Sequence, residues 1–346
     1  MKAAVWQNKK DIQIKEVPDP IPGRGQVKAR VKSCGICGSD LHEYDQGPQL
    51  IPADEDGKGR PVVLGHELSA EIVELGQDVS RFKVGDRITT NPLIYCGECL
   101  YCRQGTPHLC PTIKSKGLAE DGGFAEYVLL NEYGLHELPP TISDDIGALV
   151  EPLSVAVHAV KRSRFRIGDT VAVIGAGPIG LLVLQVCRAA GARQTFVVEP
   201  MKARRELADQ LGAGEVFNPD SSKPAKNIRD ATDGWGADIA IDCVGSQSSF
   251  DVALKVTRRR GVICVAGVAL KPISVPFVQL LAHEKEVIFT NAYEDDFRTS
   301  LALLADGRVD VESLISARIS LDDLVEKGMK ALLDHADRHV KILVHP

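Results

Sequence analysis

The second half of the chain alternates short apolar runs with amphipathic segments. The apolar run Thr170–Ile174 precedes the helical pattern LLVLQVCRAAG, and the alternation continues through TFVVE, ARRELADQLGA, DIAIDCVG, FDVALKVT and GVICVAGV. Continuous apolar runs separated by helical segments are typical of strands buried on both faces of a parallel sheet. The pattern predicts a doubly wound α/β domain, which we place at residues 151–292.

A glycine-rich turn joins the first of these strands to the helix that follows. A lone G-x-G-x-x-G is a weak pattern, but a strand before it and a helix after it are the context of a dinucleotide-binding turn. The first glycine makes the turn, the second admits a pyrophosphate, and the third lets the helix approach the strand. The candidate residues are Gly175, Gly177, Pro178, Ile179 and Gly180.

Glu199 ends the next predicted strand, 19 residues after Gly180. An acid at this point hydrogen-bonds the adenosine ribose 2′-hydroxyl and repels a 2′-phosphate, which favours NAD over NADP. Arg204 nearby leaves NADP open, because an arginine can serve a 2′-phosphate. Later strand ends supply weaker candidates for the nicotinamide half, which could equally be packing positions: Val244, Gly245, Ala266, Val268 and Asn291.

The first 150 residues have a different character, with many glycines, prolines and short β-like runs such as VKARVKSCG and LSAEIVELG. Many short strands separated by turn signals predict a compact, barrel-like β domain over residues 1–150. The stretch between Tyr44 and Pro61 lacks periodicity and is predicted to be a surface loop. The tail holds two helical segments and the strand VKILVHP, and it could complete either domain. We assign residues 293–346 as a return that completes the first domain.

Four cysteines lie within fifteen residues in the pattern Cys96-x2-Cys99-x2-Cys102-x7-Cys110. Thiolates at this spacing can converge on one zinc ion, and an all-sulfur set closes the tetrahedron, so such a site is structural. An iron–sulfur cluster is conceivable, since C-x2-C-x2-C also occurs in ferredoxins. The longer last gap and the single set favour zinc, in a lobe at about residues 92–115.

A second set of metal-binding residue types is spread over more than a hundred residues: Cys37, His66, Glu67 and Glu151. Alone, Cys34 and Cys37 could be a redox pair or half a zinc knuckle, a lone histidine is usually structural, and Glu151 could simply favour a helix dipole. No further cysteine pair remains to complete a knuckle. Three ligands of the Cys/His/carboxylate kind would leave one position open for water or substrate, as catalytic zinc requires.

In these motifs and their order, the chain resembles the zinc-dependent medium-chain dehydrogenases over essentially its whole length. The resemblance implies a GroES-like β-barrel-type catalytic domain, a Rossmann NAD-binding domain and two zinc ions per chain. It implies that Cys37, His66 and Glu151 bind the catalytic zinc, with Glu67 next to the metal and able to exchange with its water. A glutamate at 151 matches the branch that acts on polyols and diols.

The resemblance also gives roles to the residues around these ligands. It implies that Asp40 orients the ligand imidazole, that Ser39 contacts the alcohol oxygen, and that His42 ends the proton relay. An unperturbed histidine pKa near 6.5 suits proton exchange with solvent. By the same resemblance, Arg204 lies against the adenine.

The segments 34–48 and 148–160 are most like enzymes that oxidise vicinal diols. We therefore expect NAD-dependent oxidation of a diol such as (R,R)-2,3-butanediol to its hydroxyketone, and the reverse reduction. Sorbitol- or xylitol-type polyols and L-threonine are the alternative substrates. A non-enzymatic zinc- and nucleotide-binding relative is a remote alternative, because such a chain should have lost part of the ligand and relay set.

Composition restricts the partners. The net charge is −6 and no long block of Lys or Arg occurs, which argues against nucleic acid and anionic membranes. The short run Arg258–Arg260 is predicted to be a solvated helix end, and His158 a packed residue. No apolar run approaches the ~18 residues of a membrane helix, and cysteine density is far below that of a disulfide scaffold. We expect a cytoplasmic enzyme, and the resemblance implies a homodimer or homotetramer.

Overall fold

The computed structural model describes all 346 residues and divides them into two compact units. The first unit contains Met1–Glu151 and Val311–Pro346, and the second contains Pro152–Asp310. The strands are β1 (Lys2–Asn8), β2 (Asp11–Glu16), β3 (Gln26–Gly35), β4 (Val62–Val63), β5 (Glu67–Leu75), β6 (Arg87–Thr90), β7 (Leu93–Ile94), β8 (Lys114–Ser115), β9 (Tyr127–Asn131), β10 (Leu135–Glu137), β11 (Thr170–Ile174), β12 (Gln194–Val198), β13 (Glu215–Phe217), β14 (Ala237–Asp242), β15 (Thr257–Val265), β16 (Glu286–Phe289), β17 (Ile315–Ser320) and β18 (Lys341–His345).

The helices are α1 (Gly38–Gln46), α2 (Leu100–Arg103), α3 (Asp144–Ala148), α4 (Val150–Arg162), α5 (Pro178–Ala189), α6 (Lys202–Gln210), α7 (Pro224–Asp230), α8 (Gln247–Val256), α9 (Phe277–His283), α10 (Phe297–Ala305) and α11 (Lys330–Asp334). Short 3-10 turns lie at Pro107–Leu109, Glu132–Gly134, Glu312–Leu314 and Leu321–Asp323, and a π-helical turn lies at Leu324–Met329. No helix combines the length and apolarity needed to cross a bilayer.

The first unit is built on β-sheets. Seven strands form one sheet with the order β10-β6-β5-β3-β18-β17, to which β9 adds by pairing with β3, and β2-β1-β4 form a second sheet. Alternate residues of β3 point inward, and they join a core that includes Trp6, Leu68 and Phe124. Because β7 pairs with β8, the segment with the four clustered cysteines begins and ends at one small ladder.

The loop after α1 is exposed over most of its length, as predicted for the stretch up to Pro61. Its first residues are held by Glu43, whose buried carboxylate accepts hydrogen bonds from the backbone N–H groups of Gln49 and Leu50. Ile51 is buried in the core of the first unit and anchors the loop.

The second unit contains the predicted parallel sheet. Its six strands have the order β13-β12-β11-β14-β15-β16, and every pair is parallel. Every residue of β11 is buried, because β12 and β14 flank it in the sheet and α5 and α8 contact it. The chain changes direction across the sheet between β11 and β14. In doubly wound sheets, ligands bind beyond the carboxyl ends of the strands at this point.

The start of the C-terminal return was predicted too early, at residue 293. The second unit continues to Asp310, because Phe297 and Ser300 of α10 are buried within it. Asp296, at the start of α10, accepts hydrogen bonds from His158 Nδ1 at 3.0 Å and Lys161 Nζ at 2.6 Å, both on α4. Only the chain from Val311 onward, which contains β17 and β18, belongs to the first unit.

The basic run Arg258–Arg260 was wrongly predicted to end a helix. Helix α8 ends at Val256, and the three arginines lie in the first half of β15. Arg258 pairs with Asp238 of the neighbouring β14 at 2.7 Å, whereas Arg259 and Arg260 are exposed. The register of the two strands therefore places these arginines at the amino end of the sheet.

Candidate active site

Three of the predicted metal ligands lie together in the first unit. The ligand atoms of Cys37, His66 and Glu67 are all within 4.8 Å of one another. Strands β3 and β5 are antiparallel neighbours in which Gly35 lies opposite Glu67. This pairing brings Cys37, just after β3, next to His66 and Glu67 at the start of β5. A Cβ on Gly35 would lie 2.2 Å from Glu67 Oε2, so only glycine leaves room for this carboxylate.

Asp40 is fully buried and connects the two ligand segments. Its Oδ2 accepts a hydrogen bond from Cys37 N at 2.9 Å, and its Oδ1 accepts one from Gly65 N at 3.3 Å. The same Oδ1 lies 3.8 Å from His66 Nδ1. Burial raises the pKa of Asp40 to about 6, although nearby His66 and the backbone hydrogen bonds oppose that rise. Asp40 thus lies next to the Nδ1 side of the imidazole without a hydrogen bond to it, and its orienting role stays a prediction.

The imidazole of His66 lies in negatively charged surroundings. Burial alone would lower its pKa, but the charges of Cys37 and Asp40 outweigh this and raise it well above the usual value. Its Nδ1 is buried without a hydrogen bond, and its Nε2 lies 3.5 Å from Ser39 Oγ. A half-buried thiol, a buried imidazole and a buried carboxylate in negatively charged surroundings fit a divalent cation such as zinc.

Lys341 is a site residue that sequence reasoning missed. Its ammonium donates hydrogen bonds to Glu67 Oε1 at 2.8 Å, to Glu67 Oε2 at 2.6 Å and to Ile36 O at 2.9 Å. All three donors of the ammonium are therefore used. The available signal was a single lysine in the otherwise apolar terminal run VKILV, where alternation predicts buried positions.

Glu151 and His42 are not part of the close group formed by Cys37, His66 and Glu67. Glu151 is buried at the start of α4, and its charge raises the pKa values of His66 and Lys341, after larger contributions from burial and nearer charges. It is not one of the three residues whose ligand atoms cluster within 4.8 Å. His42 is half-buried on α1, three residues after Ser39, and no hydrogen bond joins the two side chains. The ligand role of Glu151 and the relay role of His42 stay predictions.

The four clustered cysteines converge. The sulfur atoms of Cys96 and Cys110 are 3.6 Å apart, those of Cys99 and Cys102 are 3.5 Å apart, and those of Cys96 and Cys102 are 3.9 Å apart. A tetrahedron with Zn–S bonds of about 2.3 Å has edges of roughly 3.8 Å, whereas a disulfide would bring two sulfurs to about 2.05 Å. All four thiols are free, and the spacing fits a closed zinc site.

The glycine turn of the second unit has the close contacts expected of a dinucleotide-binding motif. Gly175 has φ +89°, and a Cβ there would lie 2.4 Å from Val244 Cγ2. A Cβ on Gly180 would lie 1.8 Å from the carbonyl oxygen of Gly175. Gly177 is the N-cap of α5, which begins at Pro178, and the half-buried Ile179 follows. The helix N-terminus at the turn suits an anionic pyrophosphate.

Glu199 is fixed beside this turn. Its Oε2 accepts a hydrogen bond from Ala176 N at 2.7 Å, and its Oε1 accepts one from Met201 N at 2.8 Å. Arg204 lies on the other side, with Nη1 3.8 Å from the Cβ position of Gly177 and with a buried Nε that has no hydrogen bond. The turn therefore has one carboxylate and one guanidinium within reach of a bound nucleotide.

The weaker candidates lie around the carboxyl ends of the later strands. Asp242, the last residue of β14, holds this edge: its carboxylate accepts hydrogen bonds from Val244 N and Gly245 N, and its carbonyl accepts one from Ala266 N. Val244, Val268 and Asn291 are exposed, and Gly245 and Ala266 are half-buried. The arrangement leaves their surfaces accessible to a ligand.

Two other groups of residues are structural. His158 is buried and bonded to Asp296, which agrees with its prediction as a packed residue. Cys34 is a buried free thiol close to Glu67 and Asp40, and its pKa is raised well above the usual value, chiefly by burial. Cys187 and Cys264 are buried in the second unit, and Cys243 is half-buried.

Comparisons with known proteins show the family to which the chain belongs. Two family models match the chain: the alcohol dehydrogenase GroES-like domain over residues 23–140 and the zinc-binding dehydrogenase domain over residues 178–306. (R,R)-butanediol dehydrogenase of Bacillus subtilis (strain 168) is 39% identical over 100% of both chains. Sorbitol dehydrogenase of the same strain is 32% identical over 100% of this chain and 97% of its own.

Solved structures are similar over the whole chain. The crystal structure of 2R,3R-butanediol dehydrogenase from Bacillus subtilis has a TM-score of 0.92 at 38% identity, covering 100% of this chain and 99% of that one. A putative zinc-binding dehydrogenase from Sinorhizobium meliloti 1021, bound to NADP, has a TM-score of 0.91 at 32% identity with the same coverage. A short chain alcohol dehydrogenase from E. coli CFT073, complexed with NADH, has a TM-score of 0.91 at 26% identity with the same coverage.

The chain therefore belongs to the zinc-binding alcohol dehydrogenase family. This membership confirms the predicted fold class, a GroES-like domain together with a Rossmann-type domain that contains a parallel sheet. It also confirms the enzyme class predicted from the sequence, a zinc-dependent dehydrogenase.

Proposed function

We propose that the protein catalyses the NAD-dependent oxidation of a vicinal diol, 2,3-butanediol, to the hydroxyketone acetoin, and the reverse reduction. The observation that carries the proposal is the buried group Cys37, His66 and Glu67 with Ser39 at the imidazole edge. Its support in the comparisons is the 39% identity to a butanediol dehydrogenase over the full length of both chains.

Cys37, His66 and Glu151 would hold the catalytic zinc and leave one position open for the substrate hydroxyl, with Glu67 next to the metal. Bound zinc would lower the pKa of a substrate hydroxyl from far above neutrality, and NAD would accept the hydride. Ser39, whose Oγ lies 3.5 Å from His66 Nε2, would accept the substrate hydroxyl proton while releasing its own hydroxyl proton to a bridging water or ligand hydroxyl. His42, one turn further along α1, exchanges that proton with solvent.

Asp40 and Lys341 act on the ligands rather than on the substrate. Asp40 accepts hydrogen bonds from the backbone beside each ligand segment, so it sets the spacing between Cys37 and His66. Lys341 binds both oxygens of Glu67 and so restrains the carboxylate next to the metal position. Such supporting contacts orient metal ligands and contribute to metal affinity.

We infer that the cofactor is NAD. Glu199 is already positioned by two backbone hydrogen bonds, and a carboxylate there repels the 2′-phosphate of NADP. The exposed strand-end residues Val244, Val268 and Asn291 would contact the nicotinamide half, and Arg204 the adenine. One similar structure contains NADP and another contains NADH, so the test of this inference must compare both types of cofactor.

A polyol is the second candidate substrate, because a sorbitol dehydrogenase is 32% identical over the full chain. Sorbitol and 2,3-butanediol share the vicinal diol but differ in length and polarity. The exposed loop after α1 differs in composition from the rest of the domain, and we propose that it sets this choice. L-threonine is the third candidate, and a non-enzymatic role is disfavoured by the complete set of ligands.

The deciding experiment is a kinetic panel followed at 340 nm, with (R,R)-, meso- and (S,S)-butanediol, sorbitol, xylitol and L-threonine, each with NAD and NADP. We expect the highest kcat/KM with a butanediol and NAD. A higher value with a polyol or threonine would replace the substrate assignment, and a higher value with NADP would replace the cofactor. Bound nucleotide without turnover of any alcohol would favour a non-enzyme.

We propose that the domain boundaries follow the two units, with the structural zinc lobe of residues 92–115 inside the first.

We also infer a cytoplasmic location, because all nine cysteines are free and the two metal sets need reduced thiolates. Labelling intact and lysed cells with an impermeant thiol reagent tests this. Reaction in intact cells would contradict it.

We propose that the protein is a homodimer or a larger homo-oligomer formed through the second unit. Helix α9 has no buried residue, and Phe277, Val278 and Leu281 are each about 80% exposed. The adjacent β16 is an edge strand, with Phe289 also exposed, and an apolar edge of this kind fits a second copy. Light scattering should show a mass above 37.4 kDa, and Leu281→Glu should reduce it. Ile167→Glu, a charge placed on another exposed apolar residue, is the control that should not.

A further inference from the structure

A basic cavity lies at the amino ends of β14, β15 and β16, the edge of the sheet opposite the glycine turn. It has a volume of about 480 Å³ and is lined by Arg229, Lys255, Arg259, His283 and Lys285, with the side chain of Trp235 at its wall. Its volume is within the range of about 300–1,000 Å³ typical of small-molecule sites. No part of the dehydrogenase site contributes to it.

The positive charge of this cavity is not neutralised by the protein. None of its lining residues is an Asp or a Glu. The acids nearest in sequence are engaged elsewhere, Asp230 with Lys226 at 2.5 Å and Glu284 with Arg260 at 3.5 Å. Arg229, Lys255 and Arg259 make no ion pair, so their charges are available to a ligand.

Lys285 shows the effect of the neighbouring charges. Its ammonium donates hydrogen bonds to the carbonyls of Leu254 and Thr257, each at 2.6 Å, which leaves one of its three N–H groups. Burial, and then the charges of Arg229 and Arg259, lower the pKa of Lys285 to about 8. The same combination of burial and basic neighbours lowers the pKa of His283, whose Nδ1 is shielded from solvent without a hydrogen bond.

We propose that the basic cavity is a binding site for a phosphate-bearing small anion, separate from the dehydrogenase site. Two guanidinium groups and the remaining ammonium donor match the several oxygens of a phosphate, which arginine binds in a bidentate manner. A dianion there neutralises charges that otherwise repel one another. Trp235, which is 71% exposed, offers an indole face to an organic part of such a ligand.

Tryptophan fluorescence can report binding at this site. Of its two tryptophans, Trp6 is fully buried in the first unit and Trp235 lines the cavity. Titration of the zinc-replete protein with inorganic pyrophosphate, at constant ionic strength set with chloride, should produce a saturable change in tryptophan emission. Trp235→Phe should abolish this signal, whereas calorimetry should still detect binding to that variant. Zinc content is measured after each titration, to show that the probe has not removed metal.

A charge-matched pair of double variants locates the binding. Arg229→Gln/Arg259→Gln should weaken pyrophosphate binding by about tenfold or more, because each guanidinium contributes charge-assisted hydrogen bonds. Arg193→Gln/Lys223→Gln removes the same net charge at exposed positions outside the cavity that make no ion pair, and it should leave the affinity within about twofold. Absence of saturation in the wild type, equal affinity in the wild type and the arginine variant, or equal weakening in both double variants would each overturn the proposal. Dehydrogenase activity and the thermal midpoint without the probe show that both variants are folded.

Discussion

Lys341 and Glu67 form a buried ion pair in which one ammonium contacts both oxygens of one carboxylate. The two distances are 2.8 and 2.6 Å, and the side chains are 3% and 1% exposed. Burial alone would lower the pKa of Lys341, but the charges of Glu67, Cys37 and Glu151 and the hydrogen bond to Glu67 together outweigh it and raise that pKa. The ammonium of Lys341 therefore keeps its charge in the folded protein, and the carboxylate of Glu67 is its direct partner.

Removing only the lysine should destabilise the fold strongly. In metal-free protein, where no cation replaces the ammonium, Lys341→Met should lower the free energy of unfolding by about 3–5 kcal/mol, because Glu67 is left as a buried, uncompensated charge. The double variant Lys341→Met/Glu67→Gln should recover at least about half of that loss. Urea unfolding measures both. A double variant no more stable than the single one would show that the cost is lost packing, not the unpaired charge.

The two cysteine sets should respond differently to loss of one sulfur. Cys99→Ser and Cys37→Ser should each reduce the zinc content from two ions per chain to one, measured by elemental analysis. Only Cys99→Ser should lower the thermal midpoint, by at least about 5 °C, because about 1 kcal/mol shifts the midpoint of a domain of this size by about 2–4 °C. Cys37→Ser should keep the midpoint within about 2 °C and lose turnover.

These two variants are each other's control. A Cys37→Ser protein that turns over normally with two zinc ions would refute the ligand role of that thiol. A Cys99→Ser protein with full zinc content and an unchanged midpoint would refute the structural role of the cluster.

The carboxylate of Glu199 should control cofactor preference. Glu199→Ala removes the group that repels a 2′-phosphate and the acceptor for Ala176 N, so we expect the KM for NAD to rise by about 10- to 100-fold. The kcat/KM with NADP should stay unchanged or rise, because Arg204 remains beside the turn. Glu206→Ala, on the exposed face of α6, is the matched control and should change neither cofactor's KM. An equal loss with both cofactors would mean that Glu199 only supports the turn.

The sequence predicted the second unit well, because strands buried on both faces need continuous apolar runs and β11 has one. The cysteine cluster was equally visible, because all four ligands are local in the chain. The Lys341–Glu67 pair was not, since 274 residues separate its members and no local pattern links them. The assignment of α10 to the second unit was also not predicted. Its amphipathic pattern shows that one face is buried but not which unit buries it, and only the contacts of Asp296 with α4 decide that.

The pH dependence of stability should include a contribution from Asp238 in the second unit. Its carboxylate accepts hydrogen bonds from Thr170 N at 2.8 Å, from Thr170 Oγ at 2.7 Å and from Arg258 Nε at 2.7 Å. Burial raises the pKa of Asp238, but these hydrogen bonds outweigh it and lower the pKa below its usual value. A carboxylate with a lowered pKa in the folded state stabilises the fold above its unfolded pKa of about 3.9, and that contribution is lost as pH falls through the folded value.

Asp238→Asn should therefore cost about 1–3 kcal/mol of unfolding free energy at pH 7. The difference from the wild type should shrink below about pH 4, as the wild-type carboxyl becomes protonated. Urea unfolding curves from pH 3 to pH 8 measure this difference directly. Asp209→Asn, at an exposed position of α6, is the control and should show no such pH-dependent gap. A wild-type-to-variant difference that stays constant across this range would mean that Asp238 contributes through its shape and not its charge.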